Sequence, residues 1–256
     1  MNLGVDFNTW MFVFLRVSAF LLVLPFFSMV NFPVIMRTAL SALTAWLLAQ
    51  NLPAYSGVPL SMVALVSIMA QEVCVGLLLG FVARMVFFAV DLAGGIVATE
   101  IGLNTGAIMN PMSHMSSPVP GLILFFLAAV VMLSLDLHHW VLLSFQRSYE
   151  VLPIGSTHLN ASLLTELMSQ IAHLFVVGLQ IAAPVLAVSF IVTVVFGMLS
   201  RAAPQTDVFV LSFTFRVAGG LAVLGLTLQL TAQYVMNYFH RLPDDLLRMA
   251  QLLGAR

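Results

Sequence analysis

Lysine is missing from this sequence, and charge of either sign is scarce. Nine Arg and ten Asp or Glu are the only fully charged side chains in 256 residues. None of them falls within 38–71, 101–135, 167–200 or 217–240. About a quarter of the residues of a soluble domain are charged; at 7%, this chain lacks the polar surface such a domain needs. Without lysine, chemistry that depends on one is excluded, including the glycine-rich phosphate loop that ends in Lys. A formal net charge of −1 leaves no basic face for nucleic acid. With Cys74 alone, neither an intrachain disulfide nor a cysteine metal cluster can form. The first residues carry Asp6 and no cation, and no small-residue cleavage site follows cleanly. The first apolar segment is therefore expected to be retained rather than removed as a signal peptide.

What is present is apolar: 61% hydrophobic residues and a mean hydropathy of +1.08. This is the composition of an integral membrane protein. A span needs about 20 apolar residues, and apolar runs occupy 10–30, 40–52, 59–82, 85–101, 121–137, 171–200 and 209–238. All read as helices, because the ten-residue alternation of a membrane barrel does not repeat. Counting six spans with the N-terminus outside puts Arg37, Arg84, Arg147, Arg241, Arg248 and Arg256 on the cytoplasmic side, with Arg201 the exception. The richest turn chemistry lies in 103–120, where Gly, Pro, Asn and Ser recur and each opposes helix continuation. A second polar interval covers 146–169, and 241–256 reads as a short amphipathic helix on the membrane surface. No internal repeat or second, soluble domain is visible, so 1–256 is treated as one all-α membrane domain.

Charges and helix breakers inside the apolar runs carry the next layer of information. Arg16, Glu72, Arg84, Asp91 and Arg216 lie in or beside these runs, where an isolated charge costs at least about 2.5–3.5 kcal/mol. Two readings stand: side chains snorkelling to water from helix ends, or charges facing partner subunits or a wet passage. Pro184 and the Gly219–Gly220 pair are expected to kink or loosen their helices. Breaks of this kind are tolerable where protein rather than lipid covers the backbone. Gly76 and Gly80, in G-L-L-L-G, form a small-xxx-small pattern suited to close helix contact.

No catalytic constellation emerges. Ser113–His114 and Ser200–Arg201 lack a supporting acid. His138 and His139 are adjacent, so on a helix they point about 100° apart and chelate poorly; beside Trp140 they read as interfacial. Met109, Met112 and Met115 flank His114 and could ligate copper(I). Packing or a deformable seal uses the same unbranched side chains without metal. No cofactor or metal is assigned. A solute transporter remains an alternative on the strength of the broken helices and intramembrane charges, but no inverted repeat or acidic cluster supports it.

Two stretches go further. Residues 195–211, V-F-G-M-L-S-R-A-A-P-Q-T-D-V-F-V-L, closely resemble the late motif of the FliR export-gate family, which includes the SctT proteins of injectisomes. His138-His139-Trp140 through Ser148, Leu152-Pro153-Ile154-Gly155, Pro33 and Arg37-Thr38 resemble the same family, and the order of apolar blocks fits over nearly the whole chain. Asp207 stands where the family usually has Asn, and Phe213–Thr214 where a Pro is common. The Leu-Pro-Ile-Gly segment is closer to the flagellar branch.

The resemblance implies a non-enzymatic structural subunit of a type III export gate in the bacterial inner membrane, at the flagellar basal body. It implies FliP-like and FliQ-like partners, with FlhA-like and FlhB-like components nearby, and unfolded secreted proteins as cargo. It further implies broken helical hairpins that close a helical ring with homologous subunits. Many apolar helices would then be covered by partners rather than lipid, which lowers the count of six spans. The loop 102–120 takes the place of the family's pore plug, with Asn104, Gly106, Met109, Asn110, Met112 and Met115 as candidate plug residues. Arg201, Pro204, Gln205 and Phe209 are candidates for a structural turn and subunit contact.

Overall fold

The computed structural model describes residues 6–28, 32–53, 55, 61–103, 119–158, 160–203, 205 and 207–254. Among these residues all regular structure is helical: α1 Phe7–Val23, α2 Pro25–Ser28, α3 Val34–Ala49, α4 Met62–Glu100, α5 Val119–Ser134, α6 Leu137–Val151, α7 Ala161–Ala202, α8 Val208–Leu226 and α9 Leu228–Gly254. The helix ends follow local chemistry. Pro25 lacks an N–H and cannot continue α1, but it fits the first position of α2. Asp136 adopts the left-handed conformation (φ 53°) and separates α5 from α6.

Several sequence expectations are corrected. Among the described residues only α4 and α7 are individually long and apolar enough to cross a membrane. The total rises to four if α5–α6 and α8–α9 each count as one broken span, not the six first counted. The run at 10–30 breaks at Pro25, and the runs at 59–82 and 85–101 merge into α4, because Ala83 and Arg84 carry no backbone signal that stops a helix. Gly219–Gly220 lies inside α8 without interrupting it; the break falls at Thr227, where α8 and α9 meet at 54°. The polar interval at 146–169 shrinks to 152–160 between α6 and α7.

The chain divides into two compact units. The first comprises Met1–Met85, Asp136–Gln170 and His240–Arg256. Its core gathers Phe12, Val13, Val17 and Phe20 of α1, Val75 and Leu79 of α4, and Val141 and Phe145 of α6. Phe20 stacks on Phe145 with ring centroids 4.3 Å apart. Leu242, Leu246, Met249, Ala250 and Leu253 of α9 are also buried. The expected membrane-surface helix at 241–256 is thus amphipathic, but protein covers its apolar face. His158 N–H donates to the Leu253 carbonyl at 2.8 Å and ties down its end.

Helix α3 has an unusual distribution of side chains. Its small residues Ser41, Ala45 and Ala49, spaced four apart, are buried, and Trp10 Nε1 donates to the Ala42 carbonyl at 3.3 Å. Its large residues Val34, Ile35, Met36, Leu43, Trp46 and Leu47 are exposed. A helix facing water would present the reverse.

The second unit comprises Val86–Leu135 and Ile171–Phe239. Phe87 sits at its centre, 5.4 Å from Phe125 and 5.7 Å from Phe239 by ring centroid. Val90, Val97, Ile101, Leu124, Ala128, Ile181 and Val185 complete the core. Here too the outer face is apolar: Phe190, Ile191, Val195 and Met198 of α7 are all more than half exposed.

Candidate functional site

In the first unit, α1 and α4 approach closely because two glycines allow it. A Cβ at Gly76 would collide with the Arg16 carbonyl oxygen and lie 2.8 Å from Ala19 Cβ. At Gly80 it would lie 2.9 Å from both the Phe20 carbonyl oxygen and Val23 Cβ. This approach brings together two charges 56 positions apart. Arg16 Nε donates to Glu72 Oε2 at 2.6 Å and Nη2 to Oε1 at 3.0 Å, with both side chains wholly buried.

The pair is enclosed by further partners. Arg16 Nη1 donates to the Leu152 carbonyl at 3.1 Å, and its guanidinium lies 4.2 Å from the Tyr149 ring centroid. Glu72 Oε1 also accepts from Gly155 N–H at 3.1 Å. Each charge therefore grips one end of Leu152-Pro153-Ile154-Gly155. Gly155 has φ +75°, a conformation in which a side chain is strained. A planar guanidinium bidentate to carboxylate is the strong form of such a bond. Neither earlier reading of Arg16 and Glu72 holds: they neither snorkel nor face a passage, but lock three segments of their own chain. The sequence signal was two isolated opposite charges in apolar runs, each needing a counterion; Tyr149 carried no such signal.

The other charges within the apolar runs differ from one another. Arg84 Nη1 donates to the Val23 carbonyl at 3.3 Å, where the C-terminal end of α1 has an unused acceptor. Arg216 Nη2 donates to Thr193 Oγ1 at 3.2 Å within the second unit.

The second unit also holds the stems of the candidate plug. Just beyond the end of α4 stands Gly102 (φ +84°), where a Cβ would lie 2.7 Å from the Phe213 ring. α5 begins at Val119, and a Cβ at Gly94 would collide with Gly121 Cα and lie 2.8 Å from its nitrogen. Gly94 and Gly121 thus let α4 and α5 cross in backbone contact near the loop. Asn104, Gly106, Met109, Asn110, Met112 and Met115 lie outside the described residues. In the late motif, Arg201 and Gln205 are exposed. Phe209 is helical, with its side chain outside the described set, as is Pro204.

Asp136, His138 and His139 place ligand-type atoms within 4.8 Å of one another. The histidine rings are 4.1 Å apart, nearer than the helical rotation alone indicated. His139 Nδ1 lies 3.5 Å from Asp136 Oδ1, both side chains being well exposed. His138 Nδ1 is buried without a hydrogen-bond partner among the described residues.

Comparison with known proteins agrees with this architecture. The family model described as bacterial export proteins, family 1, matches residues 7–242. The flagellar biosynthetic protein FliR of Escherichia coli K12 is 28% identical, covering 91% of this chain and 88% of that protein. FliR of Bacillus subtilis 168 is 25% identical over 99% of both chains, and that of Pectobacterium carotovorum is 27% identical over 94% and 95%. A match over nearly the full length, to an all-helical apolar chain, settles the family: the chain belongs to the bacterial export proteins of family 1, the family of FliR.

Proposed function

We propose that this chain is a structural subunit of the flagellar type III export gate. With FliP-like and FliQ-like subunits it forms the conduit through which unfolded flagellar proteins cross the bacterial inner membrane, beside FlhA-like and FlhB-like components. Its role is structural rather than enzymatic. The observation that carries the reading, alongside family membership, is the inverted surface of α3 and α7, with large apolar side chains outward. Contiguous apolar surface of this kind marks contact with other proteins or with lipid.

In this reading the loop carrying Asn104, Gly106, Met109, Asn110, Met112 and Met115 closes the conduit, held by stems that cross at Gly94 and Gly121. Met is unbranched and polarizable, so it fills an irregular constriction and yields to a passing chain. Arg201, Pro204, Gln205 and Phe209 form a turn that contacts a neighbouring subunit. Affinity purification of the tagged chain from membranes should bring FliP-like and FliQ-like proteins in one stable complex. A chain recovered alone, and transporting a solute unaided, overturns the reading. Deleting 104–117 should raise small-ion conductance of the assembled complex; unchanged conductance refutes the seal. Replacing Arg201 and Gln205 by Ala should reduce assembly, and intact assembly refutes that contact.

A further inference from the structure

Arg216 stands near the middle of α8, an otherwise uncharged helix, with about 12 Å of helix before it and about 15 Å after it. All ten Asp and Glu of the chain are among the described residues, and none forms an ion pair with Arg216. The second unit holds only three acids, Asp91 and Glu100 on α4 and Asp207 at the start of α8. Asp207 accepts from Val210 N–H at 3.4 Å as the helix cap. Among the described residues the side-chain partner of Arg216 is the neutral Thr193 hydroxyl, and its Nε is buried without a hydrogen bond. Around this contact, Phe190, Ile191 and Val195 of α7 and Leu211 and Phe215 of α8 are exposed and apolar.

A guanidinium in such a setting needs an anion, because an unpaired charge in an apolar environment is strongly disfavoured. Arg16 shows how this chain satisfies the same need when it has a carboxylate to offer. Lipid phosphate lies at the ends of a membrane helix, and snorkelling serves cations near those ends rather than mid-helix. We infer that Arg216, with Thr193, is the docking point for an apolar helix of a partner subunit that carries one Asp or Glu opposite it. This rests on the export-gate reading and specifies the chemistry of one of its contacts.

The test uses the full chain, alone in detergent and co-expressed with the other membrane subunits of the apparatus. Arg216→Met removes the charge at similar length. The lone variant should melt at or above the wild-type temperature, since no ion pair within the chain is lost, while recovered complex falls about tenfold or more. Arg216→Lys should retain most of the complex. Arg216→Glu should abolish it, and replacing one apolar-helix Asp or Glu of a partner by Arg should restore it. Wild-type recovery of complex with Arg216→Met overturns the inference and leaves the export-gate reading standing. So does a loss that anionic lipid repairs but no partner reversal does. A wild-type chain that captures no membrane partner instead overturns the export-gate reading itself.

Discussion

Replacing Glu72 by Ala tests the central lock of the first unit. The carboxylate takes three hydrogen bonds, from Arg16 Nε, Arg16 Nη2 and Gly155 N–H. Its removal leaves a guanidinium that is 0% exposed holding one carbonyl and the face of Tyr149. Stripping one partner from a buried pair costs about 3–5 kcal/mol, and the orphaned Gly155 N–H adds about 1 kcal/mol. At about 2–4 °C per kcal/mol for a chain of this size, the melting temperature should fall by roughly 8–24 °C.

The decisive comparison is the double replacement Arg16→Met with Glu72→Leu, which removes both charges and fills the space with apolar side chains. Such exchanges are often neutral or stabilising, so the double variant should melt well above Glu72→Ala. A thermal-unfolding cycle in detergent measures the coupling, which should exceed about 2 kcal/mol, within the range for groups in one network. If the two single costs simply add in the double variant, Arg16 and Glu72 are independent and the lock is wrong.

Gly76→Ala should destabilise by about 1–3 kcal/mol, because α1 must move off its Arg16 carbonyl; an unchanged melting temperature would show that α1 is not seated there. Gly155→Ala should cost about 1–2 kcal/mol from the left-handed backbone alone, and Gly155→Asn, which tolerates that conformation, should recover part of it in the same assay. Gly94→Ala should separate the loop stems at Gly121; limited proteolysis should then cleave 104–118 faster, and an unchanged rate would refute the crossing.

Much of this protein was legible one residue at a time. The near absence of charge and the long apolar runs determine an all-helical membrane-type chain, because a backbone away from water must satisfy its own hydrogen bonds and a helix does so locally. The Arg-Ala-Ala-Pro-Gln stretch carried the family. Pro25 was a readable break that apolar length obscured, and Thr227 displaced Gly219–Gly220 because a glycine pair does not stop a helix that packing supports.

Hydropathy records that a surface avoids water, not what covers it. It could not tell the face of α9 buried under its own chain from the faces of α3 and α7 left open to lipid or partner. Nor could it pair Arg16 with Glu72, whose union depends on how α1 and α4 are rotated and how closely two glycines let them approach. Composition and local pattern determined which segments are dry and helical. Tertiary structure alone decided which dry surfaces meet and which charges are matched, because those outcomes depend on the relative rotation of helices far apart in the chain.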